Sequence, residues 1–251
     1  MGAEVTVDHG YVHAKAPRLR GARLFTDMVT VTGTDDRTVA GTVRLRGGLR
    51  KPSHSERVEG DTLVLHRALQ YASTFGYTVW LRPNDSWLGN GVAAKGPLAT
   101  RLGLSGVPVI AETIALNTIF ELVRDTRARV HLCRISSAAG IELIRAAKAE
   151  GLPVSCDVSV NHLHLTDVDI GYFNAAMRLT PPLRQQRDRD AIRAALADGT
   201  VDALVSDHTP VDADAKNLPF AEAEPGATGL ELLLGLTLKW GTESGLPLAK
   251  S

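Results

Sequence analysis

The chain has 251 residues, of which 44% are hydrophobic and 22% are charged, so it can bury one large core and is not a disordered chain. Lysine plus arginine and aspartate plus glutamate number 28 each, and this balance disfavours nucleic acid or an anionic membrane as a partner. Two cysteines, no secretory leader and no run of about 18 apolar residues predict a cytoplasmic protein in a reducing compartment.

The first 60 residues differ from the rest because they are rich in arginine and lack helical periodicity. β-forming residues on both sides of the turn-like stretch from Gly33 to Arg37 predict a hairpin within residues 28–45. We interpret residues 1–60 as a divergent segment that is partly β or poorly ordered. Residues 61–251 are interpreted as the main folded portion.

From residue 61 onward, helical patterns alternate with β-rich runs. The predicted helices cover residues 61–76, 111–124, 137–151 and 187–198, and the predicted strands cover residues 77–81, 129–134, 153–157 and 201–206. Ser137 is a predicted N-cap, and Gly151 and Gly199 are predicted helix stops.

Alternation of this kind indicates an α/β fold in which a parallel sheet is covered by helices, with closure into a (β/α) barrel of the TIM type as the natural form. An open doubly wound sheet is the alternative. That fold is disfavoured because no glycine-rich phosphate loop follows any of the predicted strands.

Polar residues follow the predicted strands, and in a barrel this end of the sheet carries the active site. The positions are Arg82, Arg134, Asp157 with Asn161 and His162, and Asp207 with His208. An aspartate and a histidine that end a strand are often only a turn or a cap. Taken alone, the last pair is therefore a weak signal of function.

Three motifs add to that signal because they occur together and in a fixed order. Asp207-His-Thr-Pro-Val211 is followed by Pro225-Gly-Ala-Thr-Gly-Leu-Glu231, and Thr180-Pro-Pro-Leu-Arg184 precedes both. They are similar to D-H-A-P-H, P-G-x-x-G-L-E and N-P-P-L-R of the dihydroorotases, zinc-dependent cyclic amide hydrolases of pyrimidine biosynthesis in the amidohydrolase superfamily. The resemblance covers roughly residues 61–240. It implies an amidohydrolase-type barrel that is partial, with strands five to eight matched.

The departures from the family concern its zinc ligands. The H-x-H of the family's first strand has no counterpart, and the histidines of its fifth and sixth strands fall on Arg82 and Arg134. Asp207 is kept, either as a vestigial residue or, in an active enzyme, as the general base. A guanidinium has no lone pair for a metal, and each like charge at about 4 Å costs roughly 4 kcal/mol at an effective dielectric of ~20. We therefore predict no metal and no cofactor.

A further expectation concerns what takes the place of the metal. Both arginines should turn toward Asp207 and form bidentate charge-assisted hydrogen bonds with it. The resemblance also implies a substrate pocket, in which a valine replaces the histidine that contacts the ring of dihydroorotate and a threonine replaces an asparagine. The pocket residues would be Asn161, His162, Thr180, Arg184, His208 and Val211.

Three functions follow as hypotheses. The first is a non-catalytic dihydroorotase-like subunit that forms an oligomer with an aspartate transcarbamoylase chain, a partner implied by the resemblance alone. The second is an active zinc enzyme whose metal is held by a different set, Asp207, His162, His131 and Asp157. The third is an anion-binding module in which the two strand-end arginines bind a carboxylate or a phosphate.

Overall fold

The computed structural model describes residues 4–8, 11–15, 29–32, 38–41 and 62–245. The first four segments are the strands β1 (Glu4–Asp8), β2 (Tyr11–Lys15), β3 (Val29–Thr32) and β4 (Thr38–Gly41). β1 pairs antiparallel with β2, and β3 pairs antiparallel with β4. The hairpin predicted within residues 28–45 is therefore confirmed in its two strands, whereas most of residues 1–60 lies outside the described residues.

The remainder consists of helices that alternate with short strands. In chain order these are α1 (Thr62–Thr74), β5 (Thr78–Leu81), β6 (Ala93–Ala94), α2 (Pro97–Leu102), β7 (Gly106–Val107), α3 (Ile110–Thr126), β8 (Arg129–Leu132), α4 (Ala138–Ala149), β9 (Val154–Ser159), α5 (Val160–His164), α6 (Gln186–Asp198), β10 (Ala203–Val205), α7 (Ala213–Lys216) and α8 (Leu233–Glu243).

Strands β10, β9, β8 and β5 lie side by side in that order and are mutually parallel. β3 extends the sheet antiparallel to β5, and β4 follows it. Each of the four parallel strands is preceded by a helix, α1, α3, α4 or α6, as the alternating sequence pattern predicts. The α/β class and the four predicted helix–strand units are therefore confirmed.

Helix starts and stops follow the predicted capping chemistry. The side chain of Ser137 accepts a hydrogen bond from the backbone N–H of Gly140 at 3.0 Å, which satisfies one of the free donors of the first turn of α4. Gly151 and Gly199 follow α4 and α6 with φ of 81° each, a left-handed conformation that glycine adopts without steric cost.

Two of the predicted strands end earlier than the sequence indicated. β8 ends at Leu132 and β10 at Val205, whereas extended runs to residues 134 and 206 were expected. The cause is local, because Arg134 has φ of 56° and Asp207 has φ of 50°. A residue in the left-handed conformation cannot continue an extended strand, so the backbone turns at the carboxyl ends of both strands.

One face of the parallel strands is apolar and packs under the helices. Val130, Leu132, Cys156 and Val158 belong to one buried cluster with residues of α1, α3, α4 and α6. Both cysteines are free and buried, as predicted, and burial raises the pKa of the Cys156 thiol to about 12. None of the helices within residues 62–245 has the length and apolar character needed to cross a membrane.

The opposite face of the same strands is more polar. Backbone register places Trp80, His131 and Ser155 beside one another on β5, β8 and β9, and side chains alternate between faces along each strand. The centroids of the Trp80 and His131 rings lie 4.6 Å apart. This face leads to the strand ends where the candidate site lies.

Candidate functional site

An ion pair joins the ends of two parallel strands. Nη1 of Arg134, just after β8, donates to Oδ1 of Asp207, just after β10, at 3.0 Å. The two side chains are only 14% and 7% exposed, so water screens their attraction weakly. The expected contact of Arg134 with Asp207 is thus present, through one hydrogen bond where a bidentate pair was predicted. For Arg82, which lines the same cavity as Arg134, a contact with Asp207 stays a prediction.

The backbone at both ends of this ion pair is unusual. Arg134 and Asp207 are two of only four non-glycine residues with positive φ in the part of the chain that the structure describes. The backbone N–H of Arg134 donates to Oδ1 of Asp157 at 2.7 Å, and this contact holds the turn after β8. Strained conformations of this kind persist where surrounding contacts impose them, and they cluster at functional sites.

A second polar cluster lies on β8 and β9, and its member Asp157 contacts the backbone of Arg134. Nε2 of His131 lies 2.9 Å from Oδ2 of Asp157, and Nδ1 lies 2.7 Å from Oγ of Ser155. Possible ligand atoms of His131, Cys133 and Asp157 all lie within 4.8 Å of one another. Among the described residues, no other group of three or more histidine, cysteine or acidic side chains converges in this way.

That cluster contains two of the four residues that would hold zinc according to the hypothesis of an active enzyme. His131 and Asp157 are brought together, but Asp207 and His162 do not join them. Both ring nitrogens of His131 already face hydrogen-bonding partners, and both oxygens of Asp157 are engaged. A metal at this position would have to displace those hydrogen bonds.

His162 is fully buried close to the ion pair. Its Nε2 lies 3.1 Å from the carbonyl oxygen of Pro182 and must donate to it, whereas Nδ1 has no partner and is inaccessible to water. Burial is the main reason why the pKa of His162 falls to about 4; Pro182 and Asp207 oppose the shift, and Arg184 and Arg82 reinforce it. The imidazole is therefore neutral at pH 7.

Glu112 organises the loop after β8, a role that the motifs in the sequence did not predict. Its carboxylate accepts four hydrogen bonds, from the backbone N–H and the hydroxyl of Ser136 and from the same two groups of Ser137. Arg184 joins the network by donating from Nε to Oγ of Ser136 at 3.2 Å and from Nη1 to the carbonyl of Val107 at 2.9 Å.

A cavity of about 480 Å³ opens at these strand ends. Of the residues predicted for the site, Arg82, Arg134, Thr180 and Arg184 line it. Arg178, which sequence reasoning did not single out, also lines it.

The other predicted pocket residues are absent from the cavity lining formed by the described residues. Nδ1 of His208 accepts from the backbone N–H groups of Gly229 and Leu230, at 3.2 Å each, so its ring is used to hold a loop. Asn161 has a buried side-chain nitrogen without a hydrogen-bond partner. Val211 lies against the backbone of Gly226, where an added Cβ would approach its Cγ2 to 2.7 Å.

Comparison with curated proteins shows similarity in sequence over about 70% of the chain. No family model matches. A dihydroorotase-like protein of Pseudomonas aeruginosa is 47% identical over 176 residues, and a dihydroorotase of Mycobacterium tuberculosis is 37% identical over 187 residues. In sequence the chain is thus similar to the dihydroorotases and dihydroorotase-like proteins. These matches cover 70% and 74% of the chain, but the chain spans only 42% and 44% of the two relatives.

Solved structures of the amidohydrolase superfamily have the same fold. An L-hydantoinase from Arthrobacter aurescens superposes with a TM-score of 0.67 at 24% identity, over 75% of this chain and 44% of the hydantoinase. The dihydroorotase of Saccharomyces cerevisiae gives 0.60 at 16% identity, over 74% of this chain and 50% of that chain. The fold is therefore that of the TIM-barrel amidohydrolases, matched over part of the barrel.

The strand ends of this dihydroorotase relative do not fit the zinc that the family implies. The guanidinium of Arg134 donates to an oxygen of Asp207, the one family ligand that the sequence keeps. Arg82 lines the same cavity, and its field lowers the pKa of His162. Because guanidinium groups have no lone pair and repel a cation, these positions are suited to an anion and not to a divalent metal.

Proposed function

We propose that the chain is a dihydroorotase-like protein of pyrimidine biosynthesis that lacks catalytic zinc and acts in the cytoplasm as a structural subunit with aspartate transcarbamoylase. One observation carries the catalytic part of this proposal. Arg134 donates to Asp207 at 3.0 Å with both side chains nearly buried. A salt bridge thus occupies the carboxylate that would assist a metal-bound hydroxide.

The chemistry of the site supports the same conclusion. Hydrolysis of a cyclic amide at neutral pH needs an activated water, and zinc supplies one by lowering the pKa of bound water to about 7. At these strand ends Asp207 is held in an ion pair with Arg134, and a guanidinium cannot hold the metal that would supply such a water. Val211, in place of a histidine, has no proton to donate and no hydrogen bond to offer.

The structural role rests on kinship and on exposed apolar surface. Several large apolar side chains of the described residues face solvent, among them Tyr172 at 99%, Trp87 at 83%, Leu234 at 70% and Leu230 at 66% exposed. Where such side chains form a contiguous patch, they favour association with other chains. The choice of aspartate transcarbamoylase as the partner comes from the family resemblance.

Zinc content and turnover of the purified chain test the catalytic part. The protein is expressed in zinc-supplemented medium, its metal is quantified by mass spectrometry, and hydrolysis of dihydroorotate is followed by absorbance. We expect zinc well below one equivalent and no turnover above the uncatalysed rate. A dihydroorotase such as the mycobacterial relative serves as the positive control. One equivalent of zinc together with turnover would contradict the proposal.

Co-expression with an aspartate transcarbamoylase chain tests the structural part. We expect the two chains to elute together in size-exclusion chromatography and the carbamoyltransferase activity to rise in the complex. A solitary monomer with no effect on that activity would refute the partnership. It would leave the catalytic part to be judged by the zinc measurement.

An active zinc-dependent cyclic amidohydrolase is the second candidate function. The convergence of His131, Cys133 and Asp157 favours it, because nitrogen, sulfur and carboxylate donors are the ligands that zinc prefers. In that case Asp157→Asn would abolish both zinc binding and turnover. If the structural proposal is right, neither the wild type nor this variant retains zinc.

A further inference from the structure

A serine, a histidine and an aspartate form a continuous hydrogen-bonded row on β8 and β9. Nδ1 of His131 lies 2.7 Å from Oγ of Ser155, and Nε2 of the same ring lies 2.9 Å from Oδ2 of Asp157. In the part of the chain that the structure describes, these three side chains do not line the cavity at the strand ends. The row is therefore a cluster distinct from that cavity.

Strand register brings the three side chains of the row together. His131 is the direct partner of Ser155 in the parallel pairing of β8 with β9. Asp157 lies two positions after Ser155 on β9, and residues two apart on a strand point to the same face of the sheet. One imidazole thus faces both side chains of the neighbouring strand, and regular β structure fixes the geometry.

The direction of each hydrogen bond follows from the chemistry of the partners. An ionised carboxylate only accepts, so Nε2 of His131 carries the proton that it donates to Asp157. Nδ1 then has a lone pair and accepts the hydroxyl proton of Ser155. Asp157 is itself held, because its Oδ1 accepts from the backbone N–H of Arg134 at 2.7 Å. The imidazole is therefore oriented as a base toward the serine.

This arrangement meets the geometric criteria for an activated serine. The hydroxyl lies within hydrogen-bonding reach of a base, and a third group orients the base. The side chains of His131 and Asp157 are only 11% and 4% exposed, so water competes weakly for their hydrogen bonds. Ser155 is half-buried, so its hydroxyl is the member of the row that a small molecule can reach.

Trp80 gives the same face of the sheet an apolar surface beside the row. Its ring centroid lies 4.6 Å from that of His131, and its side chain is half-buried. Trp80 and Ser155 lie on β5 and β9, on opposite sides of β8, so about 10 Å separates them at the usual spacing of strands. That distance matches a small molecule with a short apolar group, and the indole favours one without charge.

We propose that Ser155 is a nucleophile for acyl transfer from small uncharged esters, with His131 as its general base and Asp157 as a positioning residue. Oγ attacks the ester carbonyl while Nδ1 takes the hydroxyl proton. The bond to the alcohol oxygen then breaks, and the imidazolium returns the proton to the leaving alkoxide. Water attacks the acyl-serine in the same way, which releases a carboxylic acid and regenerates Ser155. This activity goes beyond the structural role and needs no metal.

Labelling with a fluorophosphonate tests the nucleophile in the purified full chain. The serine oxygen bonds to phosphorus, fluoride leaves, and the hydroxyl proton passes to the base. EDTA is present, so that no metal contributes, and peptide mass spectrometry locates the adduct. We expect one adduct per chain, on Ser155, that does not form in urea. Hydrolysis of 4-nitrophenyl acetate should accompany it and should be lost in Ser155→Ala.

Two variants and one control connect the labelling to the row. Ser155→Ala should form no adduct. His131→Gln keeps a hydrogen-bonding side chain but removes the base, so it should be labelled about 100-fold more slowly. Ser73→Ala removes a half-buried serine of α1 and should be labelled like the wild type.

Asp157 acts through His131, and its role has a spectroscopic signature. In Asp157→Asn the amide oxygen is favoured beside the backbone N–H of Arg134, so the NH2 group faces Nε2 of His131. Nε2 must then accept, the ring proton moves to Nδ1, and Ser155 loses its base. Nitrogen-15 NMR should show this change of tautomer together with slow labelling. A proton that stays on Nε2 would contradict the positioning role.

The wild-type chain alone can overturn the proposal. No adduct, adducts on other residues only, or an adduct without ester hydrolysis would each do so, and none of these readouts needs a variant. Equal labelling rates in the wild type and in His131→Gln, with both folded by circular dichroism, would overturn the assignment of the base.

Discussion

Arg134 and Asp207 keep each other in place although neither residue favours its backbone conformation. A non-glycine residue at positive φ costs on the order of 1–3 kcal/mol, and both partners have φ between 50° and 56°. The hydrogen bond from the N–H of Arg134 to Asp157 and the ion pair itself offset that cost. The two strand ends are therefore stabilised by side-chain charge, where a zinc enzyme would use a metal.

The first prediction concerns this ion pair. Arg134→Met leaves the carboxylate of Asp207 buried without its partner, and losing one member of a buried pair costs about 3–5 kcal/mol. Asp207→Asn should be costly for the same reason. The double variant removes both members of this pair, so its loss of unfolding free energy should be clearly smaller than the sum of the single losses.

Urea denaturation of the three variants measures this coupling. Arg124→Met is the control, because Arg124 pairs with Glu150 at the surface, with 39% and 44% of the side chains exposed, and its loss should be much smaller. Additive losses at Arg134 and Asp207 would show that the two side chains do not act as a pair.

The second prediction is a pH dependence caused by His162. Its pKa is about 4 in the folded chain and 6.5 in the unfolded chain, so the unfolded state takes up a proton first as the pH falls. The stability contributed by the neutral imidazole is complete above pH 6.5 and is lost progressively as the pH falls toward 4. The loss should reach about 3 kcal/mol at the lower end.

Comparison with His162→Gln isolates this effect from other titrating groups. Glutamine keeps an N–H donor for the carbonyl of Pro182 but does not titrate. Asp207, Arg184 and Arg82, whose charges act on the imidazole, are the same in both proteins. The difference in unfolding free energy between the two proteins should therefore change between pH 7 and pH 4. A constant difference over that range would refute the assignment.

At the scale of elements, the helices are fixed by burial of one face. On α3, Ile119 is fully buried against the strands, whereas Ile114 is 44% exposed. Ile119→Ala should lower the unfolding free energy by about 2–5 kcal/mol, because a cavity adds to the lost transfer energy. Ile114→Ala, the matched control on the same helix, should change it far less. Equal losses in thermal or urea denaturation would contradict the packing of α3.

Elements with a local signal were predictable from the sequence. Ser137 and Gly199 define the start of α4 and the end of α6 through capping, which depends only on neighbouring residues. The early ends of β8 and β10 were not predictable in this way. Arg134 and Asp207 are not residue types that force a left-handed turn, and their conformation depends on contacts with other strands.

The candidate site was predictable where it lies at a predicted strand end or overlaps a family motif. Arg134 and Asp207 were found because they follow predicted strands and fall on family positions. Arg178 lies just before such a motif, and its importance arises from its contact with Val92, 86 positions earlier in the chain. Glu112 likewise acquires its role from two serines 24 and 25 positions further along. Long-range contacts of this kind have no signature in a single sequence.

At the scale of the whole molecule, one end of the sheet concentrates charge that an enzyme of this family would use differently. The parallel strands and their helices keep the amidohydrolase fold. Their carboxyl ends carry arginines around a cavity of about 480 Å³. The scaffold is thus retained, and the electrostatics of its mouth favour anions over metal ions.

Equilibrium titration of the purified, metal-stripped chain with zinc, in competition with a chromophoric chelator, tests this account most directly. The wild type and Asp207→Asn are titrated side by side. We predict that neither takes zinc from the chelator and that the two curves coincide. Uptake of one equivalent by the wild type that is lost in Asp207→Asn would show that the aspartate holds a metal and not an arginine.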